Sequence, residues 1–456
     1  MSKNGTSQGN WHDNNSFLAR LNKFGKKIMI KAAKSDLTEI VLFFLILFIM
    51  VIIMSCSKDV TLSDATSRLF DPTLFGSAIV AALITIAAKR LRSSLYNKVE
   101  DTIKLESDVT KLKKYYKRMD FEDASDINNA HRKNWEDPAA GDEIIPVNFC
   151  ADLSGGVSII IKDNKESFYE PPAFIQQNFN TLIAAHRSSK LYNNLNIRVH
   201  SWQLKDDSFM INTERTYYFY SMATNRVMDY ELEGGLSVRR MMVLGEKLEE
   251  LQDSKLSNHL GFNGMVESSD GMYPLVFRSK DVSIGKRTFA NSIGASLKTK
   301  YALEDGVFTK AGLDRAVREE ICDELCVTDD SIEELRYVCA YRDYLEGGKP
   351  QLFIYAKVKE TSREIDERFT EKQQKKNEQR KYLSKEDIMK TDGDTMIWIK
   401  KEEVLNRMLI YANHISAKFT SYKEGKTKEE DRDIIMVPSA IGCMLFFSRY
   451  LDSHSN

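Results

Sequence analysis

The longest uninterrupted apolar stretch in the chain is "IVLFFLILFIMVIIMSCS", Ile40 to Ser57, which carries no charge. As a helix rising about 1.5 Å per residue, it is long enough to cross a hydrocarbon core of about 30 Å. A second run, "TLFGSAIVAALITIAA" from Thr73 to Ala88, is shorter and richer in Ala and Gly. Its length alone also suits a buried soluble helix. Its position one short loop after the first run, and its abrupt end in Lys89, Arg90 and Arg92, favour a second span. Arg20, Lys23, Lys26, Lys27, Lys31 and Lys34 precede the first run, whereas the loop sets only Lys58 and Arg68 against Asp59, Asp64 and Asp71. That asymmetry predicts two membrane helices with both termini cytoplasmic. The first run starts too late and runs too long for a cleaved signal peptide. Gly76, Ala78, Ala81, Ala82 and Ala88 allow the second span to pack closely, either on the first or between chains.

Beyond the apolar runs the periodicity changes. From about Lys89 to Met119 there is no Gly or Pro, and Thr102, Leu105, Val109, Leu112, Tyr116 and Met119 alternate three and four apart. This predicts one helix, either a short coiled coil or a helix docked on the domain below. Residues from about 120 to 143 are polar and read as a linker. "VSIIIKD", "NIRVHSWQL" and "TYYFYSM" then read as strands or half-buried segments. "PPAFIQQNFNTLIAAHRSSKLYNNL" and "LSVRRMMVLGEKLEELQ" read as helices. From Leu260 the pattern sharpens into a hairpin turning at Asp270-Gly271, with a sharp turn at Gly294 after a strand. A helix through "GLDRAVREEICDELCV" follows, with Leu313, Val317, Ile321 and Leu325 on one face. "LRYVCAYRDY" and "QLFIYAKVK" form a strand pair, and "DTMIWIKKEEV" a strand running into a helix. Lys359 to Lys390 is a charge-rich insertion expected as a solvated helix. The expected fold class is α/β (α+β). Its segments are a cytoplasmic tail 1–36, a transmembrane anchor 37–92, a helical connector and linker 93–141, an α/β region 142–259 and a mixed-sheet domain 260–456.

Composition narrows the chemistry. With 456 residues there is room for two or three domains, and a net charge of −1 gives no sign of nucleic-acid binding. Six cysteines are too few and too dispersed for a disulfide framework. Cys322 and Cys326 lack the further soft ligands a zinc site needs. "GASLKTK" lacks the second Gly of a phosphate-binding Walker loop. No Ser-His-Asp or Cys-His arrangement stands out among the histidines.

The order strand, hairpin, loop, acidic helix and mixed sheet, over roughly Leu260 to Arg449, resembles the Nudix family. In that family a helix carries Arg-Glu-apolar-x-Glu-Glu-x-Gly-apolar, and its carboxylates hold divalent metal beside a pyrophosphate. Glu320, Asp323 and Glu324 match the three carboxylate positions, and the resemblance implies Mg2+ there. Glu319 stands at the Arg position, and Arg318 is one residue out of register, about 100° round the helix. Cys326 replaces the Gly. Gly294-Ala295 replaces the Gly-Gly turn, and the following loop is about ten residues too long and lacks its Gly-Glu pair. Hydrolysis therefore stays open, against a retained fold that binds a nucleotide without turning it over and against an ordinary solvated acidic face.

Two N-terminal spans before such a domain resemble the bacterial CBASS antiphage effectors with a SMODS-associated NUDIX domain. That resemblance implies an inner-membrane receptor for a cyclic oligonucleotide made by a cGAS-like nucleotidyltransferase, with oligomerisation and membrane disruption as output. A membrane-anchored hydrolase of nucleoside diphosphate derivatives is the enzymatic alternative, and a protein-binding scaffold the third. Phosphates need cations and bases need flat partners. Arg278, Lys280, Lys286, Arg287 and Phe289 beside the hairpin, with Tyr341 and Arg342 at the end of the strand after the acidic helix, are the expected ligand contacts.

Overall fold

The computed structural model describes residues 104–454, apart from 119–120, 187–191, 244, 280–281, 283–284, 383–392 and 424. Both apolar runs and the basic flanks lie outside the described residues. No described helix is long and apolar enough to cross a membrane. The chain divides into residues 1–102 and a compact unit from Ile103 to Asn456, to which every element below belongs.

The unit is a mixed α/β fold with several sheets. It begins with α1 (Val109–Leu112), β1 (Glu122–Asp123), α2 (Ser125–His131), β2 (Ile144–Ile145), β3 (Val147–Asp152) and β4 (Ser158–Phe168). Next come α3 (Ala173–Ala184), β5 (Leu195–Lys205), β6 (Ser208–Tyr217), α4 (Tyr218–Ala223) and α5 (Val238–Met242). The central part holds β7 (Gly261–Glu267), β8 (Met272–Arg278), β9 (Phe289–Ala290), β10 (Ile293–Ser296), α6 (Thr299–Ala302), β11 (Leu303–Glu304) and β12 (Val307–Phe308). It continues through α7 (Lys310–Leu325), β13 (Ile332–Asp343), β14 (Lys349–Val358) and α8 (Ser362–Tyr382). The chain closes with β15 (Gly393–Lys400), α9 (Lys401–Asn406), β16 (Leu409–Ile410), β17 (His414–Lys423), β18 (Lys426–Ile435) and α10 (Pro438–Ser453).

A five-stranded sheet in the order β10-β7-β14-β13-β3 forms the centre, with β14 and β7 parallel and the other pairs antiparallel. Its inner strands β7 and β14 are covered on both sides, so they read as continuous apolar runs rather than alternating ones. Leu352, Ile354 and Ala356 of β14 pack with Leu313, Val317, Ile321 and Leu325 of α7. Phe353 and Tyr355 face the other way, into the apolar body of α10. A six-stranded sheet (β16-β17-β15-β8-β9, with β18 on β17) completes that second core, and β4-β6-β5 packs on the first.

Several expectations are corrected. Asp270-Gly271 does make a tight turn, with the Gly271 N–H donating to the Ser268 carbonyl at 2.9 Å. It joins no hairpin, because β7 pairs with β10 and β14 while β8 pairs with β15 and β9. Residues 104–108 are not helical. Asp108 caps α1 by accepting the N–H groups of Thr110 and Lys111, so the described part of the expected connector helix is a single short turn. The stretch expected as a linker is folded onto the domain. The Asn128 amide exchanges hydrogen bonds with Ile410, donating at 2.8 Å and accepting at 2.8 Å, and His131 Nδ1 lies 2.8 Å from the Met408 carbonyl. β3 pairs with β13, so one sheet crosses the expected boundary at 259/260. "TYYFYSM" is the end of β6 followed by α4, and among the described residues of the expected helix after Leu236 only Val238–Met242 is helical.

The segment from residue 104 to 118 buries Val109, Leu112 and Tyr116 and is also tied to the domain through the fully buried Arg239. Its guanidinium donates to both Asp229 carboxylate oxygens (2.8 and 2.7 Å) and to the Tyr116 hydroxyl (2.8 Å). It also donates to the carbonyls of Tyr344 (2.8 Å) and Leu345 (2.7 Å). Asp229 in turn accepts the Glu106 N–H at 2.7 Å.

Candidate functional site

The acidic helix α7 starts where the Thr309 hydroxyl accepts the Gly312 N–H at 3.1 Å. Gly312 is required there, because a Cβ would lie 1.9 Å from the Ala302 carbonyl oxygen. The register set by its apolar face carries Glu320 to the edge of the core, where the residue is 2 % exposed. Its carboxylate meets an ammonium. Lys298, just after β10, places Nζ 2.6 Å from Glu320 Oε2 and 3.1 Å from Asp323 Oδ2. Burial alone would lower the Lys298 ammonium, but Glu320 and then Asp323 outweigh it and hold its pKa above the ordinary lysine value. Glu324 is half-buried one residue on. A dication at these carboxylates would first have to displace Lys298, so the donor set does not fit Mg2+ as it stands.

The surroundings of α7 differ from the pattern it resembles in three further ways. Arg318 points away from the carboxylates and braces the following turn, donating to the Asp329 carboxylate at 2.5 Å and to its carbonyl at 2.7 Å. Cys326 takes the left-handed cap conformation that ends the helix, with φ +59°, where the resemblance places glycine. The extra residues before α7 are not a loop. They form α6 and the β11–β12 hairpin, while Gly294, expected in a sharp turn, lies inside β10 opposite Asn263. The charge-rich α8 passes over the far end of α7, where the Lys372 ammonium donates to the Asp323 carbonyl. It is solvated on one side only, since Ile365 and Phe369 enter the core.

The expected ligand contacts fall into two groups. Lys280 lies outside the described residues. Arg278 ends β8, and Arg287 is exposed with φ +56°. Phe289 packs its ring 5.1 Å from that of Phe277 and lies under the Arg432 guanidinium. Tyr341 and Arg342 are buried on β13. The Tyr341 hydroxyl accepts from Asn263 Nδ2 at 2.7 Å and lies 3.2 Å from both Ser439 Oγ and Cys443 Sγ. Arg342 donates from Nε to the Gly348 carbonyl (2.7 Å) and from Nη1 to the Glu249 carbonyl (2.6 Å), and its buried Nη2 has no hydrogen-bond partner among the described residues. The entry to α10 joins the groups: Met436 bridges to Phe289, and Ser439 reaches Tyr341. Lys286 is half-buried in the same corner.

One constellation went unread in the sequence. Asp343, Glu346, Lys349 and Gln351, around the β13–β14 turn, are each under 5 % exposed and lie with Arg226 and His259. The available signal was charge in "YRDYLEGGKPQ" between two strands buried on both faces.

No family model matches the chain, and no curated protein matches it. Among solved structures, that of DR0079 from Deinococcus radiodurans is similar over 32% of this chain and 69% of its own, with 16% identity and a TM-score of 0.20. At that TM-score the likeness carries no argument about fold or function.

Proposed function

We propose that the chain is a membrane-anchored antiphage effector whose Nudix-like domain senses a cyclic oligonucleotide without hydrolysing it. Its ligand would come from a cGAS-like nucleotidyltransferase, and its output would be oligomerisation and disruption of the bacterial inner membrane. The observation that carries the non-hydrolytic part is Lys298. Its ammonium already pairs with both Glu320 and Asp323, the positions a Nudix hydrolase uses to hold metal against phosphate. A helix kept with its carboxylates internally paired suits binding and shape rather than turnover. The membrane part rests on the apolar runs Ile40–Ser57 and Thr73–Ala88 and the charge asymmetry around them. Two spans in one chain are too few to enclose a pore, so membrane damage requires several chains together. Ligand contacts that favour the clustered state would supply the energy.

The test is the full-length protein in dye-loaded liposomes, titrated with a panel of cyclic di- and trinucleotides. The expected result is a quiet protein alone, leakage with one nucleotide, and recovery of that nucleotide intact. Leakage independent of ligand, or multiple-turnover cleavage of nucleoside diphosphate derivatives with manganese that Glu324→Gln abolishes, would overturn it.

A further inference from the structure

Beneath the β13–β14 turn, Glu346 Oε2 lies 3.1 Å from Arg226 Nε and 3.5 Å from Lys349 Nζ. Neither Arg226 Nε nor Glu346 Oε2 has an aligned hydrogen bond. Gly261 faces the same place: a Cβ there would lie 2.2 Å from Gln351 Oε1 and 3.1 Å from Lys349 Nζ. His259 is fully buried and uses Nε2 on Ser296 Oγ at 2.7 Å, leaving Nδ1 without a partner. Gln351 Oε1 and Asn258 Nδ2 are likewise buried and unpartnered. Asn258 joins the group through Asn225, whose Nδ2 donates to Asn258 Oδ1 (3.0 Å) and to the Glu346 carbonyl (2.8 Å). Buried polar atoms without partners are rare in folded proteins, and here several converge in one neighbourhood.

The converging groups are mainly donors. Arg226 and Lys349 are cations. When His259 Nε2 accepts from the Ser296 hydroxyl, Nδ1 carries the proton and donates. The Asn258 amide donates, and half a turn of the Gln351 amide presents its NH2. Burial, then Lys349 and Arg226, push the His259 pKa well below its ordinary value. Burial, then Arg226, bring Lys349 down to about 8. Asp343 opposes an anion only weakly, because burial and then Glu346 push it up to about 7. Several donors beside the carboxylates of Glu346 and Asp343 suit a ligand with many acceptor oxygens and no donors of its own.

We propose that this cluster is a binding site for a phosphoryl group, entered past Arg226 and seated between Arg226, Lys349, His259 and Gln351 beneath the Gly261 backbone, where it would take the place the Glu346 carboxylate now holds between the two cations. The Arg226 side chain is 15% exposed against 2% for Lys349, which puts the mouth at Arg226. The inference deepens the sensor reading and rests on it only for the identity of the natural ligand, since any phosphate ester presents the same oxygens.

The experiment is calorimetric titration of the full chain in detergent with inorganic phosphate and with adenosine 5′-monophosphate. Both probes should bind. Lys349→Met and Gly261→Ala should each weaken them by about tenfold or more, while Lys205→Ala, at the exposed end of β5, leaves them unchanged. If Lys349→Met fails to fold, Gly261→Ala keeps every charge and decides alone. The proposal is overturned if neither probe binds, if Gly261→Ala binds as wild type does, or if a high-resolution map shows only ordered water between Arg226 and Lys349. Phosphate binding with no binder in the cyclic-nucleotide panel would keep this site and defeat the sensor reading.

Discussion

Replacing Lys298 with Met removes one ammonium and keeps most of the stem that packs around it. The variant leaves Glu320, 2 % exposed, beside Asp323 with no Lys298 cation between them. Losing one partner of a fully buried ion pair costs about 3–5 kcal/mol, and an exposed pair is worth about 0.2–1 kcal/mol. The Lys298 side chain is 37% exposed, so solvent screens part of the loss and the expected cost is about 1.5–3 kcal/mol. Urea unfolding of wild type and variant measures it as a shift in midpoint at unchanged slope. The raised Lys298 pKa sets the pH window. Its stabilisation is complete below the ordinary lysine value of 10.5 and is lost only as pH rises through the higher folded value. A second reading separates the cation from its packing. With the ammonium gone the carboxylates are open to a dication, so manganese at about ten times its dissociation constant should stabilise the variant by about 1.4 kcal/mol and leave wild type unmoved. A variant within about 0.5 kcal/mol of wild type, or manganese acting equally on both, refutes the claim that Lys298 stands in the cation position.

Asp163→Asn breaks a two-pronged pair with Arg215, at 2.7 Å for each bond and 2% exposure on both sides, and should cost about 3–5 kcal/mol in urea unfolding. Burial pushes the Asp163 pKa up, but bonds from Arg215, the Phe308 N–H and Thr213 outweigh it and hold the pKa below 3.8. Wild-type stability should therefore be fully present above the ordinary Asp value and fall as pH drops through the folded one, and the variant's acid limb should be flatter. Cys326→Gly relieves a left-handed side chain at φ +59° and should raise stability by about 0.5–1 kcal/mol, read as a higher Tm. Gly348→Ala would put a Cβ 2.5 Å from Leu248 Cδ1 at φ +83° and should cost about 1–3 kcal/mol in the same melt.

Where burial alone decides an element, the sequence was legible. "QLFIYAKV" is apolar at consecutive positions because β14 is covered on both faces, and α7 shows its Leu313-Val317-Ile321-Leu325 stripe because one face meets that sheet. Pattern failed where polar groups replaced apolar ones as the glue. Asn128, His131 and Trp135 dock the expected linker by hydrogen bonds to backbone carbonyls, which no hydropathy period records. Asp108 looked like one more polar helix position, yet its carboxylate starts a helix there. The hairpin failed for another reason: a tight turn fixes chain reversal but not which sheet each strand joins. The candidate site divided in the same way. The carboxylates of α7 followed from spacing. Lys298, distant in sequence from α7, and the cluster under the β13–β14 turn are visible only once the strands are assembled.

Arg239 also gives the domain a mechanical property. The chain running back toward residue 103 does not leave through a hinge. Tyr116, and Glu106 by way of Asp229, are fastened to a guanidinium that also holds the carbonyls of Tyr344 and Leu345. Tension from residue 103 loads the Glu106 N–H on Asp229 first and reaches Tyr116 only through the chain between them. Leu345 is covalently next to Glu346, so the joint and the cluster under the β13–β14 turn share one stretch of chain.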